Sequence, residues 1–196
     1  MSLELTERGI GLEIIQHRLA SVIFSELNDE IDRQQDLWTQ RDLDWNNLTG
    51  QEPREVLVEY VKEDNFYKGN KPSLIEAPIE NYPNVAVMVY IGNPGVEIID
   101  QASNFIVVAD VEAMVKGDSE EIVDARIHRM TEALHQIIVR NKGLNGATRG
   151  FENDPNVQIT DNFKRREELG AGKNWYWQAV RLRYNIARHT NLPKEV

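Results

Sequence analysis

Cysteine is absent from the 196-residue chain, which removes disulfides, thiolate nucleophiles and cysteine-based zinc sites together. No run of about 18 apolar residues occurs, so no membrane-spanning helix is expected. The opening Met1-Ser2-Leu3-Glu4-Leu5-Thr6-Glu7-Arg8 lacks the apolar stretch of a signal peptide, and an intracellular chain is expected. Basic residues are in deficit: 22 Lys plus Arg face 32 Asp plus Glu, a formal net charge of −10. That balance argues against coating DNA or an anionic membrane, because neutralising phosphates needs a basic face. GxxxxGK[ST], GxGxxG, GxSxG and HExxH are all missing, so nucleotide and hydrolase chemistry lose most of their weight. Internal repeats and low-complexity tracts are missing too. What is present is 41% hydrophobic residues, enough for one domain spanning 1–196 to bury about 70% of the surface its unfolded form exposes.

The pattern predicts an α/β domain of the α+β kind. Ile15, Leu19, Val22, Ile23, Leu27 and Ile31 recur at threes and fours from about Thr6 to about Asp36, one long amphipathic helix with a firm start near Leu12. Residues 37 to 75 change character and read as an excursion containing one strand, Val56 to Tyr60. Val85 to Ile91 and Phe105 to Lys116 predict an antiparallel pair, with Gly92-Asn93-Pro94-Gly95 as turn material. A second helix carries the stripe Val123, Ile127, Met130, Leu134 and Ile137 with Ile138 beside it, opened by Asp118 and Glu121 as a capping box and closed at Gly143. A short strand at Val157 to Thr160, a charged turn at Lys164 to Gly172 and a last strand at Trp175 to Arg188 follow, then a free tail, Thr190 to Val196. The stripe of the second helix is expected on the sheet face bearing Val107, Ala109 and Val111.

Few constellations carry chemistry. His128, Glu132 and His135 share one helical face and could ligate a metal, although a solvated polar face explains them equally and a lone helix supplies nothing to orient the imidazoles. Glu120 with Glu121, or Asp29, Glu30 and Asp32, could be imagined as acid and base, but charge runs are mostly solvated faces. Asn47-Leu48-Thr49 is a formal glycosylation acceptor, attributed to chance. No catalytic, cofactor-binding or metal residue is therefore assigned. Trp175, Trp177, Arg181 and Arg183 are expected to point outward from the last strand as a subunit or tail interface, since Trp and Arg are enriched at contact hot spots. Trp38, Trp45, Phe66 and Tyr67 in the middle segment are expected to form a docking segment, mobile when free and ordered on a partner.

The run Glu76-Ala77-Pro78-Ile79-Glu80-Asn81-Tyr82-Pro83-Asn84-Val85-Ala86-Val87 resembles the tail terminator proteins of long-tailed bacteriophages. Lys116-Gly117-Asp118-Ser119-Glu120-Glu121, then Arg126, Arg129, Ala133 and Leu134, then Asn141 to Gly146, then Trp175-Tyr176-Trp177-Gln178-Ala179-Val180 continue that resemblance in the same order. It covers about residues 76 to 190 and leaves 37–75 as a divergent insertion. It implies helices packed on a mainly antiparallel sheet and a ring-forming subunit, commonly a homo-hexamer. Such a ring sits in the virion on the head-proximal end of the tail tube, having assembled in the host cytoplasm. It ends growth of the tube, and of the sheath if the tail contracts, and presents a joining surface to the neck. The implied partners are tube protein, sheath protein, a neck or head-completion protein, and DNA only as cargo in the lumen; no membrane is implied. The acidic total suits such a lumen, which should repel phosphates. Two other functions compete: a head-closure or neck adaptor protein, and a metal-dependent enzyme built on His128, Glu132 and His135.

Overall fold

The computed structural model describes residues 12–50, 56–68, 74–75, 83–98, 104–141, 150–151, 158–168 and 174–189, with some side chains at the element ends excepted. It is an α+β fold. Two helices, α1 (Leu12–Thr49) and α2 (Glu120–Arg140), pack on one face of a single sheet. The strands are β1 (Phe66–Lys68), β2 (Val85–Ile98), β3 (Asn104–Gly117), β4 (Gly150–Phe151), β5 (Gln158–Glu168) and β6 (Asn174–His189). Their spatial order is β1-β2-β3-β6, with β4 and β5 both pairing the outer side of β6. Every pairing is antiparallel except β1 with β2.

Periodicity dictates the core. The predicted stripe of α2 is buried along its length, and it meets Val107, Ala109, Val111, Ala113 and Val115 of β3 and Val180, Leu182, Tyr184 and Ile186 of β6. These strand residues recur at every second position, as one face of a pleat must. Ile15, Leu19, Ile23, Leu27 and Ile31 of α1 join the same core.

Several boundaries differ from expectation. α1 does not stop near Asp36: Gln34 and Trp38 prolong its three-four spacing, so the helix runs to Thr49 and takes Trp38 and Trp45 out of the expected excursion. Residues 56–62 belong to no helix and pair with no described strand. Side chains hold them instead: Asn28 Nδ2 donates to the Val61 carbonyl (3.2 Å), the Val61 N–H donates to Asn28 Oδ1 (3.0 Å), and Arg129 donates to the Val56 carbonyl.

Gly92 to Gly95 make no chain reversal. They form a bulge inside β2, between the pairs Ile91 with Ala109 and Val96 with Val107. The charged run from Lys164 is strand, part of an edge that pairs β6 from Gln158 to Glu168, with Lys164, Arg165 and Arg166 exposed. Ser119, not Asp118, caps α2, its side chain accepting from the Ile122 N–H at 3.2 Å. The expected cap at Gly143 and the tail from Thr190 lie outside the described residues, as does Glu76 to Tyr82 of the quoted run.

Candidate functional site

The sheet face turned away from the helices is built by the other half of each strand alternation. Ala86, Met88, Met114, Trp177 and Ala179 form a second apolar cluster there with Leu74. Beside it runs a belt of charge. On β3, Asp110 and Glu112 stand two positions apart; on β6, Arg183 and Arg181 stand directly opposite them in register. Arg183 makes a two-pronged contact, Nε to Oδ1 and Nη2 to Oδ2 of Asp110, both at 2.9 Å. Arg181 Nε reaches Glu112 Oε1 at 2.9 Å and its Nη1 reaches Asp161 Oδ2 of β5 at 2.6 Å. The Tyr90 hydroxyl donates to Glu112 Oε1 (2.8 Å), and the Leu74 N–H donates to Oε2 (2.7 Å).

Glu112 is 0% exposed. A carboxylate so buried is tolerable only with both oxygens satisfied, and here both are. Burial, followed by the charge of Glu112, holds the Tyr90 phenol well above its ordinary pKa, while the bond that Arg183 donates to Asp110 raises the guanidinium above its own. Gly92 lies where β2 passes the Asp110 carboxylate, and a methyl there would overlap it. The belt joins β2, β3, β6 and β5. Each acid in it is committed to an arginine, so it offers no free base or nucleophile.

The expected interface residues divide. Trp177 is 1% exposed, packed edge-on against Phe163 with centroids 5.8 Å apart, and Arg165 lies over both rings. The expectation that it points outward is corrected, because Leu74 and the Phe163 ring pack against it on that face. Arg181 and Arg183 are on that face but spend their charge on Glu112, Asp161 and Asp110. Trp175 pairs Glu167 through its backbone, and its side chain lies outside the described residues.

The docking segment divides as well. Trp38 is a core residue, its indole N–H donating to Glu132 Oε2 at 3.0 Å, which corrects its assignment to a mobile partner-seeking loop. Phe66 packs on Phe24 with centroids 5.3 Å apart, and Tyr67 packs against the second cluster; both are half-buried. Trp45 stays 59% exposed.

The metal candidate is occupied by other work. Arg41 grips both oxygens of Glu132 at 2.9 and 3.0 Å, and these bonds, chiefly, hold the carboxyl below its usual range. His128 is exposed and burial lowers His135. Among the described residues no three His, Cys, Asp or Glu gather to hold a metal. Glu30 is likewise committed, to Gln34 and Arg140 at 2.5 Å and Arg33 at 2.6 Å. Glu120 meets Lys164 at 3.8 Å.

A cleft of about 260 Å³ opens between the first turns of α2 and strands β5 and β6, lined by Glu120, Val123, Lys164, Arg166, Tyr176 and Gln178. It is smaller than most small-molecule pockets, and Lys164 also bonds Asp124 at 2.5 Å beside it. No protein-family model matches the chain, and no curated protein matches it either.

Proposed function

We propose that the chain is a structural virion protein, a ring-forming tail terminator that caps the head-proximal end of a phage tail tube. It ends tube growth and presents the joining surface to the neck. The observation that carries the reading is where the quoted motifs fall. Pro83-Asn84-Val85 opens β2, with the Lys116 N–H donating to the Asn84 carbonyl at 2.7 Å. Lys116 to Glu121 forms the β3–α2 joint with its cap, and Trp175 to Val180 opens the strand that β3 and β5 flank. The described parts of these motifs thus fall at the start of β2, at the β3–α2 joint and in the first half of β6. The acids of the belt, already paired with arginines, agree with a role in contact. A cap must copy one tube contact and refuse the next, so that head-to-tail addition ends.

The experiment adds purified protein to growing tail tubes and follows length and end-binding by electron microscopy. Tubes that stop growing with density at one end support the reading. Tubes that lengthen unchanged with bare ends overturn it.

A further inference from the structure

One wall of the cleft at the start of α2 is set by strand pairing. Gln178 stands opposite Lys164 in register, and Tyr176 stands opposite Arg166. Directly paired residues of antiparallel strands share a face of the sheet. Val180 and Leu182 of β6 belong to the core under the helices, so alternation turns Tyr176 and Gln178 to that side, and Lys164 and Arg166 with them. Glu120 and Val123 of α2 complete the cleft opposite these four.

Gln178 is 1% exposed, and its amide is only half bonded. Nε2 donates to Asn162 Oδ1 at 2.8 Å, whereas Oε1 has no partner among the described residues. Asn162 stands opposite Val180, farther along the strands, so the other branch of the amide lies on the side of the cleft that Gln178 lines. A buried acceptor without a donor is costly, and a ligand that donates to it removes that cost. The charges around it are mixed. Lys164 is bonded to Asp124 at 2.5 Å and stands 3.8 Å from Glu120. Arg166 is exposed and makes no ion pair among the described residues, which leaves it as the cation open to a ligand. Val123 and the half-buried Tyr176 ring supply apolar surface between them.

We propose that this cleft binds a free α-amino acid with an apolar side chain: its carboxylate meets Arg166, its ammonium donates to Gln178 Oε1 on the Glu120 side, and its side chain lies against Val123 and Tyr176. One zwitterion answers what the lining leaves unmet, an unbonded acceptor beside an acid and an unpaired guanidinium. A simple anion fits worse, because Glu120 and Glu121 occupy the first turn of α2 and oppose the attraction of its N-terminus. A simple amine leaves Arg166 unused. The volume of about 260 Å³ lies below the range of drug-sized ligands, as suits a molecule of this class. The site stands apart from the tail-cap reading and needs neither a ring nor a tube.

The test titrates L-leucine into the full-length chain and follows its amide signals by nuclear magnetic resonance. Leucinamide, which lacks the carboxylate, and isocaproate, which lacks the amine, are the controls. The proposal expects saturable binding of leucine that moves the Gln178 side-chain amide signals, with both controls about tenfold weaker or more. Arg166→Gln alters an exposed side chain and should keep the fold, and Gln178→Leu is close in volume; both are checked by circular dichroism. Each should weaken leucine binding about tenfold or more. Absence of saturable leucine binding overturns the proposal, as do controls that bind equally well or folded variants that bind leucine unchanged. Tube binding is measured separately, so failure here leaves the tail-cap reading standing, and failure there leaves this site standing.

Discussion

Arg181 and Arg183 meet Glu112 and Asp110 because β3 and β6 are antiparallel neighbours, which sets residues two apart on one strand against residues two apart on the other. The alternation of both strands is legible in the sequence, and it places the four charges on the face opposite the main core. That this face is also dry is not legible, because Leu74, distant in the chain, packs on it. Arg181→Met removes the guanidinium bonded to the buried Glu112 carboxylate. It should cost about 3 to 5 kcal/mol in denaturant unfolding. A loss under about 1 kcal/mol would mean that the belt is solvated. Gly92→Ala, pressed against Asp110, should destabilise by about 1 to 3 kcal/mol through overpacking. His135 offers a pH test, since burial lowers its folded pKa below the ordinary value of about 6.5 and its Nδ1 has no hydrogen-bond partner among the described residues. Folding favours the neutral ring, so its contribution is complete above that value and is lost as pH falls through the lowered one. Thermal midpoints should therefore fall less between about pH 7 and 5 in His135→Gln than in the wild type. Equal slopes would mean that this imidazole is solvated.

Elements are legible where one period persists, and their ends are not. The α2 stripe is readable because Val123, Ile127, Met130, Leu134 and Ile137 keep one spacing, and all are buried. Leu134→Ala should cost about 2 to 5 kcal/mol; a loss below about 0.5 kcal/mol would put the stripe at the surface. The start of α2 is misread by one residue because Asp118 and Ser119 both suit the cap, and only backbone geometry chooses between them. Ser119→Ala should cost about 1 kcal/mol, and Asp118→Ala much less. The end of α1 is hidden because Trp38 looks like a loop aromatic until Glu132, 94 residues away, takes its indole N–H. β5 is hidden because its charges imitate a turn, and only pairing with β6 makes it strand.

For the whole molecule, the α+β class and the order of helix, antiparallel strands, helix and last strand are legible in the sequence, because each rests on local pattern. The candidate site is only half legible. Aromatic and basic residues near the last strand suggest an exposed face at Trp177, whereas the structure buries Trp177 and exposes Ile159 and Phe163 of the neighbouring β5. Val56 to Tyr60 reads as a strand in the sequence but pairs with no described strand. The most direct measurement is electron microscopy of virus particles assembled without this protein. The account predicts tails of unregulated length that fail to join heads, and restoration of uniform, joined tails when the protein is supplied. Tails of uniform length in its absence would contradict it.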